Sequence, residues 1–140
     1  MMEIGTIHHI GYLVKNIDKS ILVFQKLGYS AGEVFFDHER LSRLCFLQHM
    51  GTTVELIEPQ KDSDIYPLLK KYNNSIYHVC YEVPDIDQSV EQLRKNGFLM
   101  FRGKQKAPAI SDTAVVVFLM NSRIGIIELV QEGRLDDKIC

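Results

Sequence analysis

The chain contains two copies of one sequence pattern, and this repeat limits the possible folds more than any other feature. Residues 7–29 (IHHIGYLVKNIDKSILVFQKLGY) align without a gap with residues 76–98 (IYHVCYEVPDIDQSVEQLRKNGF), and 9 of the 23 positions are identical. Average residue usage would give about one or two matches by chance. The segments that end the two halves, 46–59 and 118–132, also resemble each other. The repeat therefore predicts two copies of one structural unit, in which a polar residue of one copy has an equivalent in the other.

Both copies begin with a strand that leads into a helix. Residues 6–14 are rich in Ile, Val and Tyr, and Asn16 then stands at an N-cap position before apolar residues at helical spacing. Gly28 follows where a helix commonly ends, and Asp85 and Gly97 repeat these two signals in the second copy. Further strands are predicted near 29–36, 41–49 and 53–58, and near 98–101, 113–120 and 124–131. Each half is therefore predicted to be a βαβββ module.

The pattern predicts an α+β fold with a single domain over residues 1–140. Its parts are module 1 (6–59), a polar linker (60–75) with a short helix around 65–71, module 2 (76–131) and a tail (132–140). One module of this size covers both faces of a four-stranded sheet poorly. We expect the two modules to form an eight-stranded, cup-shaped mixed sheet with both helices outside, and the concave side to form a cavity.

Composition excludes several classes of partner. Sixteen Lys and Arg against eighteen Asp and Glu give a net charge of −2, which predicts no binding to nucleic acid. The longest apolar run, 114–120, is too short to span a bilayer, so we expect no membrane association. The first residues lack the pattern of a signal peptide, which favours a cytoplasmic location. Cys45 and Cys80 lie in apolar stretches and are predicted to be reduced core residues.

Four candidate metal ligands fall at equivalent places in the two copies: His9, Glu55, His78 and Glu128. Because side chains alternate across a strand, His9 lies opposite in parity to Ile10 and Tyr12, and Glu55 opposite to Val54 and Leu56. The second copy repeats this alternation. If the apolar faces pack against the helices, all four polar groups point into the cup. Two imidazoles and two carboxylates suit one divalent transition metal, with Ni, Co, Zn and Mn as candidates.

Other polar residues are interpreted as structural. His8 has the parity of Ile10 and is expected to point away from the cup, so a ligand role is not predicted. The stretch 37–39 (Asp-His-Glu) is interpreted as a solvated turn between two strands. Arg102, Lys104 and Lys106 are interpreted as a solvated basic loop, with the binding of a substrate carboxylate or phosphate as the alternative.

These residues resemble the motifs of the vicinal oxygen chelate superfamily of paired βαβββ proteins. Its members include glyoxalase I, methylmalonyl-CoA epimerase, extradiol dioxygenases and fosfomycin-resistance enzymes. The resemblance covers residues 7–131 and rests on His-His-Ile-Gly (8–11), Val-Glu-Leu-Ile-Glu-Pro (54–59), Tyr-His-Val (77–79) and Ile-Glu-Leu (127–129).

The resemblance implies that His9, Glu55, His78 and Glu128 are metal ligands, the set of bacterial glyoxalase I. Epimerases generally have Gln at the position of Glu55, yet the chain length and both helical segments are closer to epimerase-like proteins. An acidic proton carrier of some epimerases would fall near Arg43 or Leu44, and neither residue can take that role.

The sequence therefore predicts a metal-dependent isomerase or lyase that moves a proton next to a carbonyl, on a small carbonyl or thioester substrate. It would be glyoxalase-I-like or methylmalonyl-CoA-epimerase-like, with Glu128 as the catalytic proton carrier and Glu55 sharing that role. Two alternatives stay open: an oxygenase or transferase of the same superfamily, and a metal-free drug-binding module. The family resemblance also implies a homodimer. No substrate-binding residue is identified from the sequence.

Overall fold

The computed structural model describes residues 3–133 and has an α+β fold. The chain divides into two compact units. The first unit is His9–Tyr77, and the second joins the N-terminal segment up to His8 with the chain from His78 onward. Most of the predicted tail, 134–140 with Cys140, lies outside the described residues.

The helices and strands follow the predicted order in both halves. In chain order they are β1 (Ile7–Leu13), α1 (Ile17–Lys26), β2 (Ser30–Ala31), β3 (Phe35–Asp37), β4 (Ser42–His49), β5 (Thr52–Pro59), a 3-10 helix (Tyr66–Leu68), α2 (Leu69–Tyr72), β6 (Ser75–Glu82), α3 (Ile86–Lys95), β7 (Leu99–Lys106), β8 (Val115–Asn121) and β9 (Gly125–Gln131). The βαβββ pattern is confirmed, as is the short helix in the linker. The single strand predicted near 29–36 is instead two short strands, β2 and β3.

Both units build a mixed sheet in the same way. In the first unit β1 runs parallel to β5, β5 is antiparallel to β4, and β4 also pairs with β2 and β3. In the second unit β6 runs parallel to β9, β9 is antiparallel to β8, and β8 is antiparallel to β7. The first and last strands of each predicted module are therefore direct neighbours in its sheet.

Each long helix begins at the residue that the sequence predicts. The Asn16 side chain accepts a hydrogen bond from Lys19 N at 3.0 Å, and the Asp85 side chain accepts one from Gln88 N at 3.1 Å. Gly28 (φ 103°) and Gly97 (φ 90°) follow the two helices in the left-handed region, which glycine adopts without steric cost.

The last strand of each unit contributes a second contact at the helix start. Glu58 Oε2 accepts a hydrogen bond from Ile17 N at 2.8 Å, and Gln131 Oε1 accepts one from Ile86 N at 2.8 Å. These contacts satisfy backbone N–H groups that have no partner inside the helix. They fix the start of each helix against the strand that carries the candidate glutamate.

A hydrophobic core joins sheet and helix in each unit, and the two cores use equivalent positions. The first core includes Val14, Ile17, Leu47, Val54 and Leu56, and the second includes Val83, Ile86, Leu119, Ile127 and Leu129. Because side chains alternate along a strand, the residues between these core positions lie on the other face of the sheet. This confirms the predicted parity: Glu55 lies between Val54 and Leu56, and Glu128 between Ile127 and Leu129.

One structural prediction for the polar segments was wrong, and another is confirmed only in part. Arg102, Lys104 and Lys106 lie in strand β7, which pairs with β8 over its length, and do not form a loop. The turn predicted at 37–39 is confirmed for His38 and Glu39, which are exposed. Asp37 instead ends strand β3 and is fully buried, because Arg40 forms an ion pair with it and Glu39 N donates a hydrogen bond to it at 2.9 Å. These partners compensate the cost of burying its charge.

Among residues 3–133, no helix is both long and apolar enough to cross a membrane. Cys45 and Cys80 are both buried, as predicted for core residues.

Candidate metal centre

The first unit holds a buried pair formed by His9 and Glu55. His9 Nε2 lies 3.1 Å from Glu55 Oε1, and the two residues are only 1% and 6% exposed. The parallel pairing of β1 and β5 produces this contact, since Glu55 lies beside Gly11, two residues after His9. The His9 ring also meets the Phe46 ring edge to face, with centroids 5.4 Å apart. The sheet and this aromatic ring together hold the imidazole in place.

The second unit holds the equivalent pair, His78 and Glu128. His78 Nε2 lies 2.9 Å from Glu128 Oε1, and both residues are 2% exposed. Glu128 lies beside Cys80, again two residues after the histidine. The His78 ring meets the Phe118 ring edge to face at 5.4 Å. Each unit therefore brings together the histidine and the glutamate that the sequence predicts as ligands.

The donor set and its spacing fit a bound metal ion. A buried carboxylate is costly unless a cation or a donor compensates it, and an imidazole nitrogen and a carboxylate oxygen are both ordinary ligands of divalent transition metals. Two donors at about 2.1 Å from one ion and at right angles to each other would be about 3.0 Å apart. The separations within the two pairs, 3.1 and 2.9 Å, match that value. Within each pair, one ion could therefore contact both atoms.

The other residues singled out in the sequence have separate roles. His8 Nε2 lies 3.8 Å from Glu132 Oε2, and both side chains are partly exposed. Arg43 Nη2 lies 3.2 Å from Asp18 Oδ1, and the hydrogen bond to Asp18 is the main reason that the pKa of Arg43 is raised. Arg43 therefore stays charged and cannot accept a proton. Leu44 is buried in the core.

The sequence reasoning missed the two phenylalanines that contact the histidine rings. Phe46 and Phe118 are equivalent positions in the repeat, since both begin a Phe-Leu pair in the matching ends of the two halves. Each lies directly beside the glutamate of its own unit, in the pairs Phe46–Glu55 and Phe118–Glu128. The repeat thus marks the two phenylalanines as equivalent, but only the strand pairing shows that each lies beside a candidate ligand.

The chain has two βαβββ units, and each contains one buried His–Glu pair. The class of protein to which such a chain belongs follows from its comparison with known families. The family model described as the Glyoxalase/Bleomycin resistance protein/Dioxygenase superfamily matches residues 8–117. The chain belongs to this superfamily, as its resemblance to vicinal oxygen chelate proteins predicted. No curated protein matches the sequence itself.

Solved structures share the fold over nearly the whole chain. A methylmalonyl-CoA epimerase from Mycobacterium tuberculosis is 20% identical with a TM-score of 0.80, and the match covers 99% of this chain and 97% of that one. A variant of the Streptomyces coelicolor methylmalonyl-CoA epimerase, in complex with 2-nitronate-propionyl-CoA, is 19% identical with a TM-score of 0.79 and coverages of 95% and 98%. A hypothetical protein from Bacillus halodurans is 20% identical with a TM-score of 0.78 and coverages of 94% and 95%. At these identities the likeness establishes the fold.

Proposed function

We propose that His9, Glu55, His78 and Glu128 together bind one divalent transition metal, with Ni, Co, Zn and Mn as candidates. The observation that carries this proposal is the same buried His–Glu pair at equivalent strand positions in both units. A single pair would be explained by a hydrogen bond between two core residues. Its exact repetition, with two carboxylates removed from water, favours a shared cation that balances their charge.

The reaction that this set supports best is proton transfer at a carbon next to a carbonyl, by an isomerase or lyase. When bound, the metal would act as a Lewis acid that stabilises the negative charge formed on the carbonyl oxygen. Glu128, which is 2% exposed, removes the proton and returns it without competition from bulk water. Glu55 shares this role on the other side of the substrate carbon.

The substrate is a small carbonyl or thioester compound, and two candidates deserve direct comparison. The His, Glu, His, Glu set resembles that of bacterial glyoxalase I, which favours a hemithioacetal. The structural neighbours favour an acyl-CoA, since two of them are methylmalonyl-CoA epimerases, one with 2-nitronate-propionyl-CoA bound. A homodimer and a cytoplasmic location remain predictions from the sequence.

Turnover assays with defined metals test the proposed function. The protein would be stripped of metal, reconstituted separately with Ni, Co, Zn and Mn, and assayed with methylglyoxal hemithioacetal and with methylmalonyl-CoA. We expect turnover of one substrate that depends on metal and is lost in His78→Ala. His8→Ala is the matched control, because it removes an imidazole from a neighbouring strand position that is not a proposed ligand. Absence of turnover with every metal, or full turnover by His78→Ala, would contradict the proposal.

A further inference from the structure

A surface groove of the first unit, which we call the linker groove, lies away from the candidate metal centre. The turn after β1, the end of β5 and the two short linker helices line it, mainly through Lys15, Pro59, Tyr66, Pro67 and Lys70. Its volume of about 610 Å³ is within the range of clefts that hold small molecules. Pro59 lies four residues after Glu55 in β5, about 13 Å along the strand. The linker groove is therefore a separate place for a ligand to bind.

The linker groove carries positive charge. Lys15 and Lys70 both line it, and none of the described residues of its lining is acidic. Within residues 3–133 the lysine ion pairs are those of Lys95 and Lys104, so the two ammonium groups of the groove have no carboxylate partner there. Like charges that share a concave surface reinforce each other's attraction for an anion. The groove is thus suited to a ligand with two negative charges.

The walls of the linker groove are fixed before any ligand binds. Asn74 Oδ1 accepts a hydrogen bond from Lys15 N at 3.1 Å, which joins the end of the linker to the turn after β1. Ser63 Oγ donates a hydrogen bond to Arg40 O at 2.6 Å, which joins the start of the linker to the turn before β4. The two prolines of the lining have φ angles that their rings restrict. Because little has to be ordered on binding, the entropic cost of binding is low.

The linker groove also offers apolar and aromatic surface beside the lysines. The exposed Tyr66 side chain lines it, and so do Pro67 and the buried residues Pro59 and Leu69. A flat aromatic group packs favourably against such residues and stacks on a tyrosine ring. Asn73, which also lines the groove, adds a side-chain amide that can donate hydrogen bonds to an anion.

The second unit does not repeat this positive charge. Lys15 corresponds in the repeat to Pro84, which lines a groove at the start of α3. That groove contains Glu3 and Asp85, and its described lining includes neither lysine nor arginine. The βαβββ fold therefore does not require a lysine at the position of Lys15, and the basic groove is a property of the first unit.

We propose that the linker groove binds a small phosphate monoester that carries an aromatic ring. A phosphate monoester has a charge of about −1.5 to −2 at neutral pH, which the two ammonium groups offset. Lysine binds phosphate as a point charge, so no guanidinium fork is needed. The aromatic ring packs against Tyr66 and the two prolines. This site does not depend on the proposed metal centre or on its reaction.

An NMR titration of the full chain, reconstituted with diamagnetic Zn, tests this proposal with phenyl phosphate as the probe. Inorganic phosphate, which lacks the ring, and benzyl alcohol, which lacks the charge, are the comparison compounds. We expect phenyl phosphate to bind most tightly of the three. It should shift the backbone amide signals of Lys15, Tyr66 and Lys70, which locates the bound compound in the linker groove.

Lysine variants measure the contribution of the two charges. Lys15→Gln and Lys70→Gln should each weaken the binding of phenyl phosphate by about two- to fivefold, the usual effect of one exposed charge pair. Lys61→Gln is the matched control and should change nothing, because Lys61 is an exposed lysine of the same linker that does not line the groove.

Three results would overturn the proposal. The first is that phenyl phosphate leaves the three amide signals unchanged. The second is that either groove variant binds phenyl phosphate as tightly as Lys61→Gln does. The third is that inorganic phosphate or benzyl alcohol binds as tightly as phenyl phosphate, because the charge and the ring would then not act together.

Discussion

The two units are close copies at the candidate ligands and different at their outer surfaces. The His–Glu separations are 3.1 and 2.9 Å, and both histidine rings lie 5.4 Å from a phenylalanine ring. On the outer face of α1, by contrast, Leu22 and Val23 are 60% and 57% exposed, where α3 has Glu91 and Gln92. The paired strands and the core beneath them fix the geometry of the pair, and solvent-facing positions tolerate either kind of residue.

A second difference lies in the strands that pair with β4 and β8 on the side away from the glutamate-bearing strands β5 and β9. The first unit has short strands β2 and β3 there, with Gly32 beside Phe46. The second unit has the eight-residue strand β7, with Arg102 beside Phe118. The comparison teaches that the strand pairing repeated in both units fixes the candidate ligands, whereas the strands on the other side of β4 and β8 differ between the units.

The largest expected effect distinguishes the two glutamates. Glu128→Gln should lower turnover by about 10²–10⁴-fold, the usual contribution of a general base, and Glu55→Gln should lower it less. The measurement is kcat for both variants with the substrate identified by the turnover assays. Metal content is the control, since a variant that has lost its metal gives no information on the base. Full turnover by a metal-loaded Glu128→Gln would show that Glu128 is not the proton carrier.

Equivalent core positions should contribute equally to stability. Leu56 and Leu129 are completely buried and correspond to each other in the repeat. Each Leu→Ala variant should lose about 2–5 kcal/mol in the free energy of unfolding, measured by urea denaturation of the metal-free protein. Leu27→Ala, at a position that is 65% exposed, is the control and should change it by less than about 0.5 kcal/mol. If only one of the two Leu→Ala variants loses stability, the two cores are not equivalent.

The helix caps give a smaller effect of the same kind. Asn16→Ala and Asp85→Ala each remove a side chain that accepts a hydrogen bond from a backbone N–H. Each should cost about 1 kcal/mol in the free energy of unfolding. Asn16→Asp keeps the acceptor and should restore most of that loss. If both Ala variants unfold at the wild-type urea concentration, the caps do not stabilise the helices.

The smallest effect concerns Cys45, which stands where the second unit has Val117. Burial raises the pKa of the Cys45 thiol, so the reactive thiolate is scarce at neutral pH. Because the folded pKa lies above the unfolded one, the associated stability is present at neutral pH and is lost as pH rises through the folded pKa. Iodoacetamide should label the Cys45 peptide much more slowly in native than in urea-unfolded protein. Equal rates would mean that this position is open to solvent.

The sequence was sufficient for the features that depend on local or repeated signals. Strand parity identified the apolar faces, so the placement of His9, Glu55, His78 and Glu128 on the faces opposite the helix-facing cores followed from alternation. Asn16 and Asp85 mark the helix starts because capping depends on neighbouring backbone groups. Each of these signals appears twice, which is why the repeat was so informative.

Features that depend on pairing between distant segments could not be predicted. The irregular register of β7 arises from its match with β8, and it moved Arg102 from a predicted loop to the face of Glu128. The burial of Asp37 depends on Arg40 folding back onto it, while the hydrophilic sequence of that stretch indicated a solvated turn. The sheet face on which Arg102 lies and the ion-pair partner of Asp37 are therefore not specified by the residues next to them in the sequence.

The number of metal ions bound per chain tests the central claim most directly. Wild-type protein reconstituted with Ni, Co, Zn or Mn would be analysed by elemental mass spectrometry beside His9→Ala and His78→Ala, one substitution in each unit. If the two pairs share one ion, the wild-type protein binds one equivalent per chain, and either substitution removes it. Two equivalents per chain, with each substitution removing only one, would show that the pairs are separate sites. No bound metal under any of these conditions would contradict the metal centre altogether.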